Sequence, residues 1–263
     1  MLPIIAIGPL SLPAYWLCAM AGLAAAALLA VRRKRCFPHL LWVDITNAAA
    51  LGGVGGLLGG WLLYLAASAP LLWQNRAGLS AHPEVLPDVL TGLAFYGGLF
   101  GFLAAVRLYL WLYKLPAADY FNYFTPCIPL FHAFARVGCF LAGCCHGIVC
   151  PAFGFAFTGS TSAPNGVPYF PVQLLGSVIE TGIFIVLLRI EDRGRRCGTP
   201  PHLLRDYLMF YAIARFFIEF LRGDTVRGMW GPFSTSQWIS LAVLAWFFLS
   251  ELRRRFPSRM KNS

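Results

Sequence analysis

Charged side chains stand inside two otherwise apolar stretches of this sequence. Arg136 opens an Arg-Val-Gly motif in the first stretch. In the second, Arg215, Glu219 and Arg222 follow a spacing of i, i+4 and i+7, which places all three on one face of a helix. A charge at the depth of lipid chains costs from about 2.5 kcal/mol upward, so such residues indicate a functional site. With one glutamate among these arginines the positive charge is in excess, which favours an anionic ligand such as a lipid phosphate.

Arginine is suited to phosphate because it stays protonated and its planar fork donates two parallel hydrogen bonds. We therefore expect Arg136 and Arg215 to bind a phosphate group and to stabilise charge that grows on it during a reaction. Glu219, one turn after Arg215, is expected to orient that guanidinium, and accepting a proton is its second interpretation. The structural alternative is that each arginine neutralises an internal carboxylate, such as Glu219 or Glu180.

Cysteines surround the end of the run that contains Arg136. Cys139, Cys144, Cys145 and Cys150 lie there, with His146 among them. This spacing matches no ordinary zinc motif, so the sequence predicts neither a metal site nor a cofactor. A disulfide from Cys150 to Cys144 or Cys145, simple packing, and a thiol oxidoreductase site stay open as alternatives. His146 is a candidate general base, because an imidazole can accept and donate a proton under physiological conditions.

The composition is that of a polytopic membrane protein, with 58% hydrophobic residues, 12% charged residues and a mean hydropathy of +0.65. We expect an all-α protein with seven transmembrane helices that forms one integral membrane domain over residues 1–263. The seven apolar runs lie at about 12–31, 42–68, 92–114, 120–141, 170–190, 203–222 and 235–252.

The distribution of basic residues predicts the orientation. Fifteen of the 21 lysines and arginines fall on one side of the apolar runs, which places the N-terminus outside and the C-terminus in the cytoplasm. The same bias accounts for the net charge of +10, so we do not expect nucleic acid as a partner. Residues 142–169, between the fourth and fifth predicted helices, are rich in glycine and proline and predict a small external cap of turns and short strands.

Glycines are dense in the second and third runs. They occupy several faces of residues 52–60 and recur at Gly97, Gly98 and Gly101. Small residues let helices approach closely in lipid, so we expect these two runs to pack together. A groove for an acyl chain is the alternative interpretation.

Taken in order along the chain, these motifs resemble the prolipoprotein diacylglyceryl transferase family over nearly the whole sequence. The segments that carry the resemblance are Phe95–Leu99, Arg136–Gly138, Pro171–Leu174, Arg215–Arg222 and Ser236–Leu241. The resemblance implies a multi-pass enzyme of the bacterial inner membrane whose active site faces the outer leaflet. Such an enzyme transfers a diacylglyceryl group from phosphatidylglycerol to the lipobox cysteine thiol in the signal peptide of a prolipoprotein, and it releases glycerol phosphate.

The residues and the resemblance together predict two sets of site residues. The catalytic set is Arg136, Arg215, Tyr96, Glu219 and His146. The substrate-binding set is Tyr15, Gly97, Gly98, Cys139, Gly147, Gln173 and Arg222.

This chain departs from the family pattern where protons are handled. The family has histidine at the position of Tyr96, often has asparagine and glutamate at Cys139 and Cys144, and usually has glutamate at Gly176. The general base is therefore open between Tyr96, His146 and neither of them. Two alternative functions follow: a relative with an altered donor or acceptor, and a non-catalytic transporter that binds lipid headgroups or anions.

Overall fold

The computed structural model describes residues 4–7, 10–74, 92–160, 162–199, 201–224 and 228–255. The helices are α1 (Ala14–Arg33), α2 (Trp42–Gln74), α3 (Phe95–Leu112), α4 (Ala117–Phe124), α5 (Cys127–Ala142), α6 (Val172–Arg196), α7 (Leu203–Ile218) and α8 (Thr235–Arg255), with 3-10 turns at Lys34–Cys36 and Glu219–Leu221. Short antiparallel strand pairs join β1 (Ile4–Ile7) to β2 (Leu10–Pro13), β3 (Phe155–Ala156) to β4 (Pro168–Tyr169), and β5 (Met229–Trp230) to β6 (Phe233–Ser234).

The prediction of a polytopic helical membrane protein is confirmed. Within the described ranges, five helical segments are long and apolar enough to cross a bilayer: Ala14–Cys36, Trp42–Pro70, Phe95–Leu112, Ala117–Ala142 and Val172–Arg196. Each of the seven predicted runs contains helix, but α7 has 16 residues, fewer than the roughly 20 of a typical span. The count of seven spans therefore stays a prediction.

The fourth predicted run, at about 120–141, forms two helices instead of one. Thr125 and Pro126 lie between α4 and α5. Proline has no N–H and its ring crowds the preceding turn, so regular helical hydrogen bonding stops there. The Asn122 carbonyl, four residues before Pro126, accepts a hydrogen bond from Arg33 at 2.8 Å in place of the missing N–H. As a result, Arg136 is carried by a separate helix of 16 residues.

Helices α2 and α3 form a close antiparallel pair. A methyl group on Gly101 would lie 2.1 Å from the carbonyl oxygen of Gly55, and one on Gly97 would lie 2.2 Å from that of Gly59. Only glycine permits backbones to approach this closely, so the packing interpretation of the two glycine-rich runs is confirmed. The pair also holds the start of α3, and with it Tyr96, in a defined place.

Antiparallel neighbours bring five helix ends together. Helix α1 packs on α5, α5 on α6, α6 on α7, and α7 on α8. Side-chain bonds give the direction of two of these pairs: the Ser177 hydroxyl donates to the Ala133 carbonyl at 2.9 Å, and Arg205 donates to Glu251 at 3.3 Å. The starts of α1, α6 and α8 therefore meet the ends of α5 and α7, and we call this the site end of the bundle.

The opposite end is held by a buried ion pair. The side chains of Arg33 and Glu191 are each 5% exposed and form a salt bridge. Arg33 also donates to the carbonyls of Tyr123 at 3.1 Å and Asn122 at 2.8 Å, and Arg195 adds a second contact to Glu191 at 2.6 Å. Through these contacts with Glu191 and the two carbonyls, Arg33 joins α1, α4 and α6.

The described residues between 142 and 169 include turns and the short strand pair of β3 and β4. Gly143 ends α5 in the left-handed conformation, with φ of 70°, and turns the chain back. Strand β3 pairs with β4, and an isolated bridge joins Gly147 to Arg222 beyond α7. The cap is therefore attached to the end of α7, and its location outside the membrane stays a prediction.

Candidate active site

Arg136 is a buried guanidinium without a hydrogen-bond or ion-pair partner in the described part of the chain. It is 8% exposed and, among the described residues, it forms no hydrogen bond or ion pair. Its side chain lies against Gly176 of α6, where an added Cβ would come within 2.9 Å of Nε. The glycine that replaces the family's usual glutamate thus provides the space for Arg136. A buried ion left unpaired costs several kcal/mol, so this position favours an anionic ligand.

Arg215, in contrast, has an acidic partner. Its guanidinium lies 2.6 Å from the Glu219 carboxylate and donates to the Ser236 hydroxyl at 3.1 Å. The predicted contact between residues four apart is therefore confirmed. One of the two predicted arginines is neutralised and the other is not, which leaves a net positive charge near Arg136.

Tyr96 belongs to the same network. Its hydroxyl lies 2.7 Å from the Ser240 hydroxyl, which donates to the carbonyl of Ser236 at 2.9 Å. Because Ser240 has a single hydroxyl hydrogen and uses it there, Tyr96 is the donor in the first bond. This arrangement favours a neutral hydrogen-bonding tyrosine over a general base. The serines were not predicted as site residues, although their spacing of four in the Ser236–Leu241 motif was a signal.

A second buried pair lies one turn before Arg136 on α5. The Nδ1 atom of His132 is 2.8 Å from the Glu180 carboxylate, and its ring stacks on Phe95 with 3.6 Å between centroids. The charges of Arg136 and Arg215 both act on His132. Both arginines are thus near enough to His132 to act on it electrostatically, and their convergence on one phosphate group stays a prediction. Glu180 is used by His132 and leaves Arg136 unneutralised, which spacing along the chain could not indicate.

Arg222 and His146 lie where the cap meets the end of α7. The Arg222 side chain is 2% exposed and donates to both carboxylate oxygens of Asp224, at 2.9 and 2.8 Å. Its Nη1 atom is buried and has no hydrogen-bond partner in the described structure. His146 Nδ1 donates to the Gly147 carbonyl at 3.0 Å, so Nε2 is the basic nitrogen of the ring. A Cβ at Gly147 would lie 2.4 Å from the Phe170 carbonyl oxygen, so only glycine allows these two segments of the chain to pass so closely.

Gln173 and Tyr15 complete the predicted binding set at the site end. Gln173 is fully buried, and its amide donates to the Cys144 carbonyl at 2.8 Å. Its Oε1 atom finds no partner in the part of the chain that is described. Tyr15 packs its backbone against Gly138, and its side chain lies within Coulombic range of Arg136 and Cys139. Gln173 thus holds the turn after α5 instead of capping α6, and its free acceptor oxygen is available to a ligand.

Three of the cysteines form a cluster. The sulfur atoms of Cys139, Cys144 and Cys145 all lie within 4.8 Å of one another, and none of them is in a disulfide. Cys150 lies outside this group, so the disulfide that would join it to Cys144 or Cys145 is not formed in the structure. Interaction with Cys139 and Cys145, followed by burial, raises the pKa of the Cys144 thiol. By itself that thiol is a poor nucleophile or base.

Gly97 and Gly98 lie in the contact between α2 and α3. A methyl group on Gly98 would approach the Gly56 carbonyl to 3.3 Å, a looser fit than at Gly97. Their observed contacts are those of helix packing, and their predicted role in substrate binding stays a prediction.

Comparison with known proteins identifies the family. Residues 3–250 match the sequence pattern of the family described as prolipoprotein diacylglyceryl transferase. A phosphatidylglycerol–prolipoprotein diacylglyceryl transferase of Clostridium tetani is 34% identical over 76% of this chain and 76% of its own length. A second such protein, from Clostridium perfringens, is 32% identical over 75% and 74%. A third, from Verminephrobacter eiseniae, is 29% identical over 98% of this chain and 95% of its own length.

The family match covers the arginines, the network around Arg215 and the cysteine cluster, and the similarity to the third relative extends over almost the whole chain. The chain therefore belongs to the prolipoprotein diacylglyceryl transferase family.

Proposed function

We propose that this protein transfers a diacylglyceryl group from phosphatidylglycerol to the lipobox cysteine of a prolipoprotein signal peptide and releases glycerol phosphate. The observation that carries the proposal is the buried guanidinium of Arg136, which is unpaired among the described residues, whereas Arg215 is held in place by Glu219. The names of the relatives support the same donor and acceptor.

The charge change of the reaction fits this arrangement. The substrate sulfur forms a bond to the glyceryl carbon as that carbon's bond to a phosphate oxygen breaks. The phosphate passes from a singly charged diester to a doubly charged monoester, so donors placed around it stabilise the transition state more than the ground state. Among the described residues, the Arg136 guanidinium has an uncompensated charge and unused hydrogen-bond donors that can bind this phosphate.

Arg215 contributes position as well as charge. Glu219 and Ser236 hold its guanidinium in one orientation, so little side-chain freedom is lost when the lipid phosphate binds. Tyr96 supports this arrangement through Ser240 and the carbonyl of Ser236. We assign Glu219 and Tyr96 to positioning, and His146 Nε2 is the candidate acceptor for the proton of the substrate thiol.

We further propose that seven helices span the bacterial inner membrane, with the N-terminus and the site end at the outer leaflet. Arg33, Arg195 and Arg205 lie at the opposite end of the bundle, as expected for the cytoplasmic side. The donor lipid would then reach Arg136 from the surrounding bilayer, and the signal peptide would present its cysteine at the same level.

The test uses purified protein in phosphatidylglycerol proteoliposomes with a lipobox peptide, read by mass spectrometry. We expect the peptide to gain the mass of a diacylglyceryl group. Arg136→Gln should lower the rate at least about 100-fold, which is typical for the loss of one transition-state donor. Arg205→Gln is the matched control, because Arg205 pairs with Glu251 at the far end.

The outcomes separate the alternatives. An unmodified peptide with folded protein and intact lipid would refute the transferase. Flux of lipid or anion without a covalent product would favour the transporter. Modification of the peptide in vitro without rescue of a strain that lacks its own transferase would favour an altered natural donor or acceptor.

A further inference from the structure

We propose that Cys139, Cys144 and Cys145 bind one zinc ion, and that the fourth position on this ion takes up the thiol of the acceptor cysteine. The inference rests on the proposed function, because that thiol is the nucleophile of the proposed reaction. It also accounts for a cluster that the spacing of the cysteines did not predict.

The backbone brings the three sulfur atoms together. Cys139 lies in the last turn of α5, and the left-handed Gly143 reverses the chain so that the Cys144 N–H donates to the Cys139 carbonyl at 3.1 Å. Cys145 follows with φ of 55°, a conformation that is uncommon outside glycine and that occurs at functional sites. The end of α5, the reversal at Gly143 and the positive φ of Cys145 together bring the three sulfur atoms close to one another.

The distances suit a zinc ion after a small adjustment. Zinc–sulfur bonds of about 2.3 Å in a tetrahedral site place sulfur atoms about 3.8 Å apart. The sulfur atoms lie within 4.8 Å of one another. Rotation of the cysteine side chains that brings each pair of sulfur atoms closer by up to about 1 Å would complete the site.

The ligand set leaves one position open. Structural zinc sites have four protein ligands, whereas catalytic sites have three and an exchangeable fourth position. In the described part of the chain the cluster has three members, and Cys150 and His146 are not among them. Cys144 and Cys145 are both partly exposed, which gives a fourth ligand access.

The surrounding charges favour an occupied site. Three thiolates with Zn²⁺ carry a net charge of −1. Arg136 acts electrostatically on Cys139, and Arg222 acts on Cys145. Arg222 Nη1 is buried without a hydrogen-bond partner among the described residues, so negative charge on the nearby Cys145 would help to compensate it.

A zinc ion would activate the acceptor thiol, a role that the neutral Tyr96 does not fill. A thiol with an ordinary pKa of about 8.5 is only about 3% ionised at pH 7, so complete ionisation on zinc raises the thiolate fraction about 30-fold. The acceptor thiol would lose its proton to solvent water as its sulfur binds the metal. The sulfur then bonds to the glyceryl carbon, the carbon–oxygen bond to phosphate breaks, and the electron pair leaves on glycerol phosphate. The thioether product, being uncharged, is a weaker ligand and dissociates.

The first experiment measures metal. Protein purified in detergent under reducing conditions and incubated with Zn²⁺ should hold one zinc per chain by elemental mass spectrometry. Cys144→Ser and Cys145→Ser should lose the zinc, and Cys150→Ser, the matched control from the same segment, should keep it. Zinc that is substoichiometric or unaffected by the cluster variants would overturn the proposal, as would a disulfide between cluster cysteines in the active protein.

The second experiment tests the open position. With Co²⁺ in place of zinc, a lipobox peptide should strengthen the sulfur-to-cobalt charge-transfer absorption, and the same peptide with serine for cysteine should not. Equal spectra with both peptides would refute binding of the thiol.

Measurement of the transfer rate distinguishes a failure of the zinc proposal from a failure of the proposed function. Removal of zinc by a chelator should lower the transfer rate about 30-fold or more, and added Zn²⁺ should restore it. Full transfer by metal-free protein would overturn the zinc inference and leave the proposed function intact. Zinc and thiol binding without transfer in any lipid would support the site and refute the function.

Discussion

Substitution of Gly176 by alanine tests the position of Arg136 without removing any functional group. The new Cβ would lie 2.9 Å from Nε of Arg136 and 3.4 Å from Nη2. Ordinary contacts begin at about 3.4 Å, so the guanidinium must move by at least about half an ångström. The atoms that must move lie far out on a flexible side chain, so the backbone of α6 can stay in place.

Gly176→Ala is expected to preserve or raise stability and to lower activity. Alanine is the better helix former by up to about 1 kcal/mol, which offsets the cost of moving Arg136, so the unfolding temperature should be unchanged or higher. A displacement of 1 Å at a reacting group costs about 100-fold in rate, so a shift of half that size should cost about tenfold. Activity should therefore fall about 10- to 100-fold in a protein that is no less stable.

The chain offers a matched control on the same helix. A Cβ added at Gly182 meets nothing within 4 Å, so Gly182→Ala gives the same gain in helix propensity without touching Arg136. The assay compares transfer rates in phosphatidylglycerol proteoliposomes and thermal unfolding in detergent for the two variants. Equal activity in Gly176→Ala and Gly182→Ala would refute the assignment of Arg136 to the reaction.

Three further predictions concern the networks at the two ends of the bundle. Arg215→Gln strands the carboxylate of Glu219 and should lower the free energy of unfolding by about 3–5 kcal/mol, whereas the double variant with Glu219→Gln should regain stability without activity. Recovery of transfer in the double variant would contradict a role for Arg215 in binding phosphate. Tyr96→Phe removes a hydrogen-bond donor to Ser240 and should lower the rate less than about 100-fold with an unchanged pH profile, while a larger loss with a shifted profile would identify Tyr96 as the base. Glu191→Gln weakens the buried pair at the opposite end and should lower thermal stability, with the transfer rate per folded molecule unchanged; a specific loss of rate would show coupling between the two ends.

Much of the architecture follows from local patterns. The apolar runs predicted the long helices of the described residues, because the length and composition of a stretch decide whether it can be buried in lipid. The contact between Arg215 and Glu219 also followed from the sequence, since residues four apart on a helix are neighbours. The break at Pro126 was missed because the run was read by its hydropathy, although proline is a local signal for such an interruption.

Contacts between distant segments decided which charges of the site are paired and where the cysteines meet. The sequence by itself determined that Arg136 and Arg215 lie within two different apolar runs and that Glu219 lies one helical turn after Arg215. Only the packing of α5 on α6 decided that Glu180 meets His132 and that Gly176 faces Arg136, which leaves that arginine unpaired. The cysteine cluster likewise depends on the backbone turn at Gly143, whose geometry is not visible in a spacing of residues. The physical reason is that charge compensation and metal coordination depend on distances in space, whereas sequence spacing fixes distances only within one helix.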